Sequence, residues 1–119
     1  MKIESYKDLI VWQKGMDLVI AVYELTKHFP REEMFALTQQ MKRAAISIPS
    51  NIAEGSRRGS RKDFRHFLLN SYGSGAELET QIEIAKRLNF GKQDNIDKTR
   101  SIADEVMRML NSMSFKLDS

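Results

Sequence analysis

Apolar residues return every three or four positions through four successive segments of this chain, and no β-hairpin signal interrupts them. A period near 3.6 places such residues on one face of a helix, so the pattern constrains the chain to amphipathic helices that must bury their faces on one another. The first expected helix covers residues 11–27, with Trp12, Met16, Val19, Ile20 and Tyr23 on one stripe, and stops before Pro30. The second starts near Arg31 or Glu32 and carries Met34, Leu37, Met41, Ala44, Ala45, Ile48 and Ile52; Gly55 and Gly59 are its candidate terminators. Ser60 is the expected N-cap of the third, with Asp63 in a capping-box-like position. The stripe of that helix is Phe64, Phe67, Leu68, Ser71, Gly75, Leu78, Ile82 and Ala85. After a turn at Gly91, the fourth helix covers residues 94–117 with Ile96, Thr99, Ala103, Val106, Leu110, Met113 and Leu117 inward. Four such helices on short loops predict an all-α, antiparallel up-down-up-down four-helix bundle.

The 119 residues suit one domain, residues 1–119. Cysteine is absent, which excludes disulfides and thiolate metal sites and suits a reducing compartment. No signal peptide is visible, because charges interrupt the apolar run at the start. No apolar stretch approaches the roughly 20 residues that span a bilayer. A cytoplasmic protein with no membrane association is expected.

Pro49 falls inside the second helix, where proline removes a backbone hydrogen bond and costs about 3 kcal/mol. Ile48 and Ile52 keep the phase of Leu37, Met41 and Ala45, so a kink near Pro49 is expected rather than an end. On the same helix Arg43, Ser47, Ser50 and Glu54 align as a polar stripe with Asn51 beside it. Such a stripe is either an ordinary solvent face or a polar subunit interface. Gly75 lies on the core stripe of the third helix, and Gly73 falls opposite it, where a second subunit could approach.

The net charge of +3 is unevenly placed. Arg57, Arg58, Arg61, Lys62 and Arg65 stand against Asp63 alone in residues 55–66, and the rest of the chain is slightly acidic. Clusters of this density bind phosphate backbones by releasing condensed counterions. Ser56, Ser60 and the free amides at the start of the third helix would add hydrogen bonds to phosphate. No aromatic residue interleaves with the cluster outside the core stripe, so base stacking is not indicated. The alternative is a solvated junction, or cations paired with Glu77, Glu79 and Glu83 of another subunit.

Catalytic motifs are lacking. The two histidines, His28 and His66, form no HExxH, and GSRRGS is not a P-loop. A hydrolase built on Glu54 and Arg43 would want a nucleophile or a metal site. No catalytic residue, metal site or cofactor is expected.

The blocks FALTQQMKRAAISIPSNIAEGSRR and DFRHFLLNSYGSGAELETQIEIA resemble the four-helix-bundle proteins encoded in intervening sequences of bacterial 23S rRNA genes. The accessory variability protein of diversity-generating retroelements is a related branch. The resemblance extends from LIVWQKGMDL to the fourth helix. It implies a homo-oligomeric ring, a pentamer, and in the accessory branch a basic surface contacting nucleic acid and a reverse transcriptase, a partner that applies only to a chain encoded in a retroelement. Onto the family's motif map Arg43, Ser47, Asn51, Glu54, Gly55 and Arg58, then Gly73, Ser74, Glu77 and Leu78, as interface or structural residues; Tyr72 stands where alanine is usual. The combined expectation is a non-enzymatic oligomer that binds RNA or DNA nonspecifically through Arg57, Arg58, Arg61, Lys62 and Arg65. The alternative is a protein-interaction module whose basic segment mediates assembly.

Overall fold

The computed structural model describes residues 5–118. Four helices follow one another: α1 (Ile10–Thr26), α2 (Leu37–Arg58), α3 (Arg61–Arg87) and α4 (Gln93–Asp118), with short 3-10 turns at Tyr6–Asp8 and Arg31–Glu33. α1 packs on α2 and α4, and α3 packs on α2 and α4. The diagonal pairs keep their Cα atoms more than 8 Å apart. This is the square section of an up-and-down bundle, 44 × 23 × 22 Å. At 1.5 Å per residue α3 spans about 40 Å, so it runs nearly the full length. Among the described residues no helix is long and apolar enough to cross a membrane.

The core is a column of fully buried side chains. Leu18, Val22 and Leu25 of α1 meet Met41, Ile48 and Ile52 of α2, Leu68, Leu78 and Ile82 of α3, and Ile96, Val106 and Leu110 of α4. Each side chain of this size contributes about 1.5–3 kcal/mol by leaving water. The faces expected for α3 and α4 are those buried, and α2 buries its expected face from Met41 onward.

α1 is rotated from its expected setting. Val11, Gly15, Leu18, Val22 and Leu25 face inward; Trp12 and Val19 pack only at the core's edge, while Met16, Ile20 and Tyr23 are exposed. Apolar residues cover most of this helix's circumference, so periodicity leaves two possible stripes. Packing selects the one containing Gly15, which faces Ile48 and Pro49 of α2; a Cβ there would meet Pro49 Cβ at an ordinary contact distance of 3.5 Å.

α2 also starts later than its charge pattern implies. After Pro30 the chain makes isolated i→i+3 bonds, Glu33 N to Pro30 O and Met34 N to Arg31 O, then breaks at Ala36 with φ −123° and ψ −108°. Met34 and Phe35 are exposed, so no apolar contact holds this turn in the α-helical winding. α2 then continues unbroken through Pro49 and ends at Gly59, whose φ of +88° suits a residue without Cβ. Gly55 is no terminator. It lies inside α2, where a Cβ would meet Phe67 Cβ at 2.6 Å and Phe64 Cδ1 at 3.2 Å, so its role is to bring α2 and α3 together.

Candidate nucleic-acid interface at the α2–α3 junction

Only Gly59 and Ser60 separate α2 from α3, so the last turn of one helix and the first turn of the next share a corner. Ser60 caps α3 as expected, its Oγ accepting from the Asp63 amide at 3.0 Å. Arg57 and Arg58 close α2, while Arg61, Lys62 and Arg65 open α3. The five cations therefore stand at one end of the bundle, with the start of α1 and the end of α4.

They are not equivalent. Arg58 Nη2 donates to Glu54 Oε2 at 3.1 Å, and its guanidinium lies 5.0 Å from the centre of the Phe67 ring. An exposed i,i+4 pair of this kind is worth about 0.3–0.5 kcal/mol, so Arg58 is only lightly held. The guanidinium of Arg57 sits 5.5 Å above the Tyr6 ring. Lys62 is exposed and makes no ion pair or hydrogen bond among the described residues.

Arg61 and Arg65 have an intramolecular task. Arg61 Nη2 donates to the carbonyl of Lys116 at 3.2 Å, and Arg65 Nε donates to that of Ser114 at 3.2 Å. Arg65 also lies 3.7 Å from the Asp118 carboxylate. The last four carbonyls of a helix lack intrahelical donors and carry the negative end of its dipole. Lys116 is one of those four and Ser114 lies just before them, so two guanidinium groups from α3 tie down the last turns of α4. Nothing in the spacing of residues 55–66 announces this, because the acceptors lie 49 and 55 positions further on.

Beside the cations a pocket of about 300 Å³ is lined by Leu9, Gly55, Ser56, Gly59, Ser60, Arg61 and Phe64. Ser60 Oγ accepts in the cap and keeps its O–H as a donor, and Ser56 Oγ makes no hydrogen bond among the described residues. Positive charge, the amino end of α3 and a hydroxyl at one corner suit a phosphate group.

Of the polar stripe of α2, Ser47 and the adjoining Asn51 form a seam with α3, while Arg43, Ser50 and Glu54 are exposed. Ser47 Oγ lies 2.8 Å from Ser74 Oγ, and Asn51 Nδ2 donates to the Ser47 carbonyl at 2.8 Å and to Ser47 Oγ at 2.9 Å. Ser71, buried on α3, donates to the Ile48 carbonyl beside Pro49 at 2.9 Å. Ser47, Asn51, Gly55 and Ser74 therefore serve packing within the chain. Gly73 stays on the outside, with nothing within 4 Å of where its Cβ would be. Arg43 and Glu77 line a separate pocket of α2 and α3 with Gln40 and Gln81.

Between α3 and α4 two carboxylates carry opposite shifts. Partial burial, the negative charge of Asp104 and a hydrogen bond with it raise the pKa of Glu79. A hydrogen bond from Arg87, with nearby Arg100 and Lys86, lowers that of Glu83. Arg87 and Arg100 reach the two Glu83 oxygens at 2.9 and 2.8 Å. Among the described residues no three His, Asp or Glu side chains converge as a metal site would require.

Residues 7–112 match the family model described as 23S rRNA-intervening sequence protein. A crystal structure from Bacteroides thetaiotaomicron, described as a protein with unknown function from the S23 ribosomal protein family, superposes with a TM-score of 0.80 at 24% identity, covering 88% of this chain and 98% of that one. At that identity the likeness speaks to the fold. No curated protein matches.

Proposed function

The chain belongs to the 23S rRNA-intervening sequence protein family, and on that premise we propose that it is a non-enzymatic protein binding the phosphate backbone of RNA or DNA without sequence preference. The observation that carries the reading is the gathering of five cations at one end of the bundle, next to the amino end of α3. Arg57, Arg58 and Lys62 make the contact, since their charges are exposed and lightly held or unpaired. Arg61 and Arg65 add to the field while they hold α4.

Salt tests this directly. Three to five neutralised phosphates imply that affinity falls about 40- to 500-fold between roughly 50 and 200 mM salt. Alanine at Arg57, Arg58 and Lys62 together abolishes binding and leaves the helical content unchanged. Binding that survives this triple replacement, or that ignores salt, rejects the reading.

A second reading is favoured by the outer faces. Leu69 and Tyr72 are exposed on α3 beside the open Gly73 position, with Ile84 exposed further along, and Trp12, Met16, Val19, Ile46 and Pro49 line an apolar groove of about 310 Å³ between α1 and α2. These surfaces suit a homo-oligomer, taken as the pentamer that the resemblance implies. Light scattering at high salt separates the two readings, because apolar association survives ionic strength and phosphate binding does not.

A further inference from the structure

Among the described residues two buried side-chain polar atoms lack a hydrogen-bond partner, Ser114 Oγ and Gln81 Oε1, and Gln81 is the one that lines a pocket. It is 5% exposed, and its Oε1 is buried without a hydrogen-bond partner. Buried amides are nearly always hydrogen-bonded, so an orphan of this kind needs a cause. Gln81 lines a pocket of about 290 Å³ between α2 and α3 together with Gln40, Arg43 and Glu77. Rotation about the last side-chain bond turns either atom of its amide toward that pocket, as donor or acceptor.

The same pocket carries two opposite charges. Arg43 and Glu77 are opposite in sign and line the same pocket, yet neither forms an ion pair or hydrogen bond among the described residues. Elsewhere on the surface comparable charges do pair, as in Arg58 with Glu54 and Arg100 with Glu83. The site offers a fork of donors and an amide on α2, one turn apart, and a carboxylate and an amide on α3, again one turn apart. Arg43 lies 15 residues before Arg58, about 22 Å along α2, so the site stands apart from the cation cluster.

We propose that this pocket binds the zwitterionic head of a free α-amino acid. The ligand's carboxylate lies on the Arg43 guanidinium, whose planar fork matches two carboxylate oxygens. Its ammonium group lies on the Glu77 carboxylate, and the amides of Gln40 and Gln81 complete its hydrogen bonds. A simple anion would satisfy Arg43 and be repelled by Glu77, and a simple cation would do the reverse. A phosphate backbone meets the same repulsion. The four lining residues include no apolar side chain, so the ligand's own side chain is short or polar.

The test is a titration of the isotope-labelled chain with glycine, L-serine and L-glutamine, followed by NMR. The probes run to about 10 mM, since a few charge-assisted hydrogen bonds in an open pocket support millimolar affinity. Saturable shifts confined to residues 40–43 and 77–81 and to the side-chain amides of Gln40 and Gln81 are expected from at least one probe. Arg43→Gln and Glu77→Gln each weaken that response by about tenfold, the loss of one charge-assisted contact. Acetate and methylammonium, given separately at the same concentration, produce no comparable response. The proposal is overturned by unchanged spectra with all three amino acids, or by acetate alone reproducing the shifts. It is equally overturned if the wild-type chain is an oligomer that Arg43→Gln reduces to a monomer, since the pocket would then be a contact between copies. None of these outcomes depends on nucleic-acid binding, which the salt titration tests separately.

Discussion

Replacing Gly55 by alanine probes the close approach of α2 to α3. The new Cβ would sit 2.6 Å from Phe67 Cβ, whereas ordinary contact begins near 3.4 Å, so α2 and α3 must part by about 0.8 Å. The obstructing atom is attached directly to the α3 backbone and cannot swing aside as a side-chain tip would. Overpacking of this kind costs about 1–3 kcal/mol, and a fixed neighbour puts it at the upper end. Alanine returns about 1 kcal/mol through its better helix propensity. The net loss is about 2 kcal/mol, which lowers Tm by roughly 6–12 °C for a domain of this size. Gly73→Ala is the matched control, because the same propensity gain meets open space there. It should raise Tm by about 3–6 °C in the monomer. Thermal unfolding followed by circular dichroism measures both. If Gly55→Ala melted at or above the parent temperature, the close α2–α3 contact inferred here would be refuted. If Gly73→Ala lowered the mass of an oligomer, the outer face of α3 would be a subunit contact.

Two further expectations concern charge. Glu79 has its pKa raised in the folded chain, so protonation favours the native state; this contribution is complete below the ordinary glutamate pKa and is lost as pH rises through the folded value. Glu79→Gln should therefore be more stable than the parent at neutral pH and lose that advantage on acidification, as paired denaturant titrations at the two pH values would reveal; an advantage that grows in acid contradicts the assignment. Arg65→Ala removes the donor to the Ser114 carbonyl and should cost about 1 kcal/mol, so amide exchange in the last turn of α4 quickens about fivefold. Lys62→Ala should leave those amides alone, and equal effects of the two replacements would deny Arg65 its role at the end of α4.

Much of the fold was legible in the sequence because it rests on local rules. The Ser60 cap, the turn at Gly59 and the buried faces of α3 and α4 follow from spacing and residue type. Pro49 was readable as an interior residue of α2 because the apolar phase continues across it. The delayed start of α2 was not, since two glutamates after a proline resemble a helix start whether or not anything packs on that turn. At the candidate site the grouping of the cations was readable, and their division of labour was not. Arg61 and Arg65 find their acceptors on α4, and no local pattern links those positions. Likewise, Ser47 and Asn51 could be read as a solvent face or a subunit interface, and Ser74 on α3 stands opposite them instead.

The sequence by itself determined four amphipathic helices, where three of the turns fall, and the concentration of positive charge in one short segment. Periodicity, capping and charge density are properties of contiguous residues, so they need no knowledge of neighbours. Tertiary structure alone decided which of the two apolar stripes on α1 turns inward, that Gly55 draws α2 against α3, and that two of the five cations close the end of α4. It also decided that Gln81 Oε1 is buried without a partner. Each of these depends on how a helix is rotated about its own axis, and that rotation is settled by contacts between residues far apart in the chain.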